Sequence, residues 1–193
     1  MTSVAKGDRH AFAVLFDRHQ GSVVRFCYRF AGTTARAEEL AQDIFVKLFR
    51  SAKGYQPTAR FKTYLFRIAT NHCLNEVRRG GFKREKLEGS LAAKTPDEPT
   101  VLEREASGDS PEQALEGRQL EGAVMKALGG MSERERAAFT MCRFEGLAYR
   151  DIAQALSSTE SAVKSLIHRA TVQVTQHIEA LQNKAEAVER SIA

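Results

Sequence analysis

Phe61-Lys-Thr-Tyr-Leu65-Phe-Arg-Ile-Ala-Thr70-Asn-His-Cys-Leu-Asn75-Glu-Val-Arg-Arg79 contains neither Gly nor Pro, so nothing in it interrupts a helix. Leu65, Ile68, Ala69, His72, Cys73, Glu76 and Val77 recur at steps of three and four and give the helix an inward face. Around that face Lys62, Arg67, Arg78 and Arg79 are mixed with Tyr64, Phe66, Asn71 and Asn75. Cations neutralise phosphates, aromatic rings stack on bases, and amides read base edges. The solvated side of an ordinary amphipathic helix has the same composition. The stretch therefore establishes a helix and leaves its use open.

Upstream, Phe12, Leu15, Phe16, His19, Val23, Phe26 and Phe30 repeat at helical spacing. Asp8 stands ready to cap that helix and Gly32 to end it. Thr33 or Thr34 can cap a second helix reaching about Ala52, in which Leu40, Ala41, Ile44, Phe45 and Leu48 point inward. Glu38, Glu39, Gln42, Asp43, Lys47 and Arg50 lie on or beside its other face. Gly54-Tyr-Gln-Pro57 breaks the chain before Phe61. Three helices with short connections make a small bundle.

Downstream, residues 84–117 carry Pro96, Pro99 and Pro111, several Ser and Thr, and a surplus of acids. This composition predicts an acidic tether, or a segment that mimics phosphates in a partner's basic channel. Apolar periodicity returns with Ala114, Leu115, Leu120, Val124 and Leu128. Ser132-Glu-Arg-Glu135 has the pattern of a capping box, and Ala138, Phe139, Met141 and Cys142 are the core candidates behind it. Glu145-Gly146-Leu147 makes a corner, Tyr149 to Leu156 a short helix, Ser157-Ser-Thr159 a turn, and Glu160 to about Ile178 a last strong helix, with a helical tail beyond. Val163, Ile167, Ala170 and Val174 face inward, leaving Lys164, Ser165, His168 and Arg169 outward. This is the form of a helix–turn–helix, whose second helix enters the major groove.

Charge follows the same division. Residues 1–83 hold 15 Lys and Arg against 6 Asp and Glu, residues 84–118 hold 5 against 9, and residues 119–193 hold 9 of each. A basic N-terminal part points to a polyanionic partner. No apolar run approaches the roughly 18–20 residues that cross a bilayer, and Met1–Arg9 lacks the apolar stretch of a signal peptide, so a cytoplasmic protein without membrane insertion is expected. Cys27, Cys73 and Cys142 are read as small apolar residues rather than as a disulfide framework. His72-Cys73 completes no CxxC or HxxxH set, so no metal and no cofactor are expected. Phosphate-binding glycine motifs are missing and no Ser or Cys is placed as a nucleophile, so no catalytic residue is assigned.

Four motifs now carry a resemblance. They are Gly7-Asp8 with Ala11-Phe12 and Leu15-Phe16; Ala37-Glu-Glu-Leu40-Ala-Gln42-Asp-Ile-Phe45-Val-Lys-Leu48-Phe; the opening stretch; and Glu133-Arg-Glu-Arg136 through Phe144-Glu-Gly-Leu147-Ala-Tyr-Arg-Asp-Ile-Ala153 to Val163-Lys-Ser165 and His168-Arg169-Ala170. In this order and spacing the chain resembles an extracytoplasmic-function (group IV) sigma factor of bacterial RNA polymerase. The resemblance implies an all-α fold of two helical domains, 1–83 and 118–193, joined by the acidic linker 84–117. It implies a promoter-specificity subunit rather than an enzyme. It assigns core-polymerase binding to Glu38, Glu39, Gln42, Asp43, Phe45 and Lys47. The single-stranded −10 element falls to Lys62, Tyr64, Arg67, Asn71, Asn75, Arg78 and Arg79. The −35 duplex falls to Glu160, Ser161, Lys164, Ser165, His168 and Arg169. A flipped base is expected in a pocket formed by Asn71 with nearby residues of this helix and the preceding loop. An anti-sigma factor is the implied regulator, and affinity for free DNA is expected to be low. The alternative is a stand-alone helix–turn–helix regulator, which leaves Glu38–Phe49 without a role; a nucleic-acid-modifying enzyme lacks a nucleophile.

The chain departs from the family pattern at five positions. Tyr64 replaces Trp, Ser132 replaces Pro and Ser157 replaces Gly. Leu166 and Thr171 replace Arg, which predicts weaker, less salt-dependent −35 binding; Leu166 then either touches a thymine methyl or packs inward.

Overall fold

The computed structural model describes residues 1–80 and 111–192, and all the regular structure in that range is helical. The helices are α1 (Thr2–Ala5), α2 (Arg9–Ala31), α3 (Thr34–Arg50), α4 (Phe61–Arg78), α5 (Pro111–Gly130), α6 (Glu133–Arg143), α7 (Tyr149–Ala155) and α8 (Glu160–Ile192). The expected tether lies outside the described residues, except that its last part, from Pro111, already belongs to α5.

Local chemistry sets most boundaries. Asp8 Oδ1 accepts from the Ala11 N–H at 2.9 Å and caps α2. Gly32, at φ 74°, ends the helix in the left-handed conformation that only Gly adopts without penalty. Thr33 takes the N-cap position of α3 without a side-chain bond. In the capping box, the Ser132 hydroxyl accepts from the Glu135 N–H at 3.4 Å, and the Glu135 carboxylate accepts from the Ser132 N–H at 3.1 Å. Thr159 Oγ1 accepts from Ala162 N–H at 3.2 Å and caps α8. Ser157, just before it, sits at φ 48°.

α3 folds back on α2 and buries Ala37, Leu40, Ala41, Ile44, Phe45 and Leu48. α4 closes this bundle, and Arg36 of α3 bridges Glu39 at 2.5 Å and Glu76 of α4 at 2.8 Å. Glu76 is thus inward as expected, held by a cation. α5, α6 and α8 enclose a second core of Met125, Leu128, Met131, Phe139, Ala170 and Val174. Cys27 and Cys73 are fully buried with their sulfurs 4.0 Å apart, while Cys142 is only partly covered.

The two helical groups are packed together. One continuous cluster runs from Val23, Phe26 and Leu65 through Met141 to Leu147, Ile152 and Val163. It corrects one reading. Phe66, placed on the outer face of its helix by sequence, is fully buried, its ring 5.2 Å from that of Phe26. Thr63 and Thr70 are buried with it, and Thr70 Oγ1 lies 3.7 Å from Met141 Sδ of α6. α4 therefore has two buried sides, and only a narrow stripe of it reaches solvent.

Candidate nucleic-acid interface

That stripe is Arg67, Asn71, Asn75, Arg78 and Arg79, all exposed and spaced so that successive side chains line one edge of the helix. Tyr64 begins it but is anchored. The single Ser51 hydroxyl proton goes to Leu48 O at 3.0 Å, so Tyr64 O–H is the donor to Ser51 Oγ at 2.9 Å. Tyr55 meets the Tyr64 ring edge-on at 4.9 Å, and the Arg67 guanidinium lies 5.3 Å from the same ring. Gln56, Thr58, Ala59, Thr63, Tyr64 and Arg67 line a small crevice together with Gln154 of α7. Asn71 does not line it. Lys62 points elsewhere, toward Glu145.

On α3, Glu39, Gln42, Asp43 and Lys47 are exposed and Glu38 is half-buried, but Phe45 is core, 4.7 Å from the Phe16 ring. Beside this polar face runs a groove of about 570 Å³ lined by Arg9, Phe12, Phe16, Gln42, Phe45, Val46, Phe49 and Arg50. Val46 and Phe49 are 46% and 45% exposed. Both lie in the Glu38–Phe49 stretch that the resemblance assigns to core polymerase, but the six named site residues leave them out, although two large apolar residues three apart on a polar face were the available signal. Lys47 Nζ contacts His72 Nδ1. An ammonium has only protons to offer, so Nδ1 accepts and the neutral ring carries its proton on Nε2. That Nε2 is 3.4 Å from Asp43 Oδ2. Burial and then Lys47 lower the His72 pKa below its ordinary 6.5, against the pull of Asp43 and Glu76.

On α8, Glu160, Ser161, Lys164, Ser165, His168 and Arg169 are all exposed, whereas Val163, Ile167, Ala170 and Val174 are buried. Arg169 Nε donates to Glu135 Oε1 at 2.6 Å. Burial alone raises the Glu135 pKa, but Arg169 and Ser132 outweigh it and hold the carboxyl below its ordinary value. Leu166 packs inward against the core, and Thr171 Oγ1 donates back to Ile167 O at 2.8 Å. Neither position supplies a cation.

Residues 15–82 match the family Sigma-70 region 2, and residues 121–173 match Sigma-70, region 4. The chain is 31% identical over 180 residues to the ECF RNA polymerase sigma-E factor of Haemophilus influenzae, covering 92% of this chain and 93% of that protein. It belongs to the ECF sigma factors of the sigma-70 family. Over 178 residues this sigma factor is 34% identical to the ECF RNA polymerase sigma factor SigE of Mycolicibacterium smegmatis, across 90% of its own length and 65% of that relative's. A solved structure of the sigma factor RpoE from Bartonella quintana, in complex with the anti-sigma factor NepR, shares the fold, with a TM-score of 0.63 at 20% identity over 88% of this chain and 97% of that one.

A sigma factor directs promoter-specific transcription initiation by RNA polymerase and is not itself an enzyme. In this sigma factor, α4, which lies within region 2, meets region 4 through polar as well as apolar contacts. Lys62 Nζ donates to Glu145 O at 2.6 Å and lies 3.2 Å from Glu145 Oε2. The Arg29 guanidinium stacks 3.7 Å above the Phe144 ring. Burial lowers the Arg29 pKa to about 10, the nearby Glu145 partly opposing it, so the group stays charged at neutral pH. Among the described residues no helix is long and apolar enough to cross a membrane.

Proposed function

We propose that three surfaces divide the work of this sigma factor. The face of α3 carrying Glu38, Glu39, Gln42, Asp43 and Lys47, with Phe45 beneath it, docks on core polymerase. The stripe Arg67, Asn71, Asn75, Arg78 and Arg79, with Tyr64 and the 54–60 loop, holds the unpaired −10 strand, and Lys62 joins it once released from Glu145. The face of α8 from Glu160 to Arg169 meets the −35 duplex. Residues 1–83 and 118–193 act as two units, and the acidic segment 84–117 lies along a basic channel of the polymerase. The protein works in the cytoplasm under an anti-sigma factor. The observation that carries this reading is the α4 stripe. It puts three cations and two amides on one edge of a helix whose other sides are buried, the arrangement that single-strand binding requires.

The deciding experiment is run-off transcription with core polymerase on candidate promoters, comparing the wild type with an Asn71→Ala/Arg78→Ala variant. Start sites that appear with the wild type and weaken with the variant support the assignment. Initiation that is undiminished in the variant removes the −10 role from α4.

A further inference from the structure

The polar contacts between the two helical groups have a chemistry of their own. The corner after α6 offers α2 and α4 a ring and an anion side by side. Phe144 lies on the Arg29 guanidinium and Glu145 on the Lys62 ammonium. A nucleotide makes the same two contacts, with its base on a guanidinium plane and its phosphate on an ammonium. The Glu145 side chain is only 4% exposed, so it is committed to this contact. Gln154 from the following helix forms part of the crevice between the 54–60 loop and α4.

We propose that the Phe144–Glu145 corner is an internal nucleotide mimic, a closing contact that competes with single-stranded DNA for Lys62 and so holds region 4 over the crevice at Tyr64 and Arg67. This rests on the −10 reading of α4. With Lys62 40% exposed and Glu145 buried, the pair contributes little net stability, so the contact sets which surface is covered more than how firmly the chain folds. Opening exchanges one anion on Lys62 for another, so a strand displaces the corner without leaving the ammonium unpaired. Region 4 then swings away from the crevice as the strand enters. The expected low affinity of the free protein for DNA gains a physical cause inside the chain itself.

The test uses the full chain and a fluorescein-labelled single strand of about twelve mixed-sequence nucleotides, with anisotropy as the readout. Glu145→Gln keeps shape and removes the anion. Phe144→Ala removes a ring that is 44% exposed and leaves the core intact. Each variant is expected to bind the strand about tenfold more tightly than wild type, to lose that gain when Asn71→Ala is added, and to scatter X-rays as a larger particle. If Phe144→Ala and wild type bind equally while Asn71→Ala weakens both, the mimic is overturned and the −10 reading stands. If no form binds and Asn71→Ala changes nothing, the −10 reading falls and the mimic with it.

Discussion

Arg169 Nε donates to Glu135 Oε1 at 2.6 Å, so a side chain on the outer face of α8 is tied to the capping box that starts α6. Arg169 is 57% exposed, so the bond adds little stability by itself. Its effect is to fix where the remaining guanidinium N–H groups point. Arg169→Ala is expected to weaken −35 duplex binding by the holoenzyme and to lower the salt slope of log K by about one, leaving thermal stability nearly unchanged. Glu135→Ala also removes the reciprocal half of the capping box, leaving the Ser132 hydroxyl on the residue-135 N–H, and is expected to cost about 1 kcal/mol of stability. Salt titrations of binding and thermal melts separate the two.

Ser157 holds φ 48° in the turn before α8. A non-Gly residue there costs about 1–2 kcal/mol, partly offset because Gly loses more freedom on folding. Ser157→Gly is expected to raise stability by about 0.5–1 kcal/mol, a gain of about 1–4 °C in melting temperature for a chain of this size. Ser157→Val is expected to lower it. A melting temperature unmoved by Gly contradicts the strain.

The Tyr64 hydroxyl donates to Ser51 and its ring is braced by Tyr55. Tyr64→Phe is expected to cost about 1 kcal/mol in chemical denaturation with promoter opening retained, because the ring remains. Tyr64→Ala is expected to impair opening as well, read as permanganate reactivity of unpaired thymines. Equal opening by both variants removes the ring from the −10 surface.

What could be read before the structure divides along the range of the interactions. The Asp8 cap, the capping box and the inward face of α8 depend on residues a few positions apart, and these were visible. Thr63 and Thr70 were not, because they meet Gln154 and Met141, some seventy to ninety positions away, and Phe66 was not, because its ring packs on Phe26, forty positions back. Hydrophobic period finds one buried side of a helix, and α4 has two. For the same reason the contact of Lys62 with Glu145, eighty-three positions away, was not legible. The helical tail expected beyond Ile178 is continuous with α8, because Ala, Glu, Gln and Lys favour helix even where the apolar face fades.

His72 gives a pH dependence with a definite sign. The unfolded chain takes a proton on this imidazole near its ordinary 6.5, whereas the folded chain refuses it until lower pH because of burial and Lys47. Stability is therefore complete above 6.5 and falls as pH drops through it. Burial and nearby cations lower the His19 pKa too, which adds in the same direction. His72→Gln is expected to flatten the dependence of the urea midpoint on pH between about 8 and 5, leaving a smaller slope from His19. An unchanged slope in His72→Gln contradicts the assignment.

The α3 face separates polar from apolar contributions to polymerase binding. Asp43 is 62% exposed, so reversing its charge leaves the core untouched. Asp43→Arg does place a cation beside His72 Nε2, where Lys47 already opposes protonation, so the variant keeps its fold best at neutral pH. Phe49→Asp sets a charge at the mouth of the groove and gives up one edge-on contact with Phe12, whose ring lies 5.0 Å away. Each variant is expected to remain folded by circular dichroism and to lose about tenfold or more in affinity for core polymerase. If only Asp43→Arg is impaired, the polar face carries the docking and the groove serves something else. If only Phe49→Asp is impaired, the apolar groove is the anchor and the charges merely orient the approach. Co-purification of both variants with core polymerase at wild-type yield removes this face of α3 from the interface.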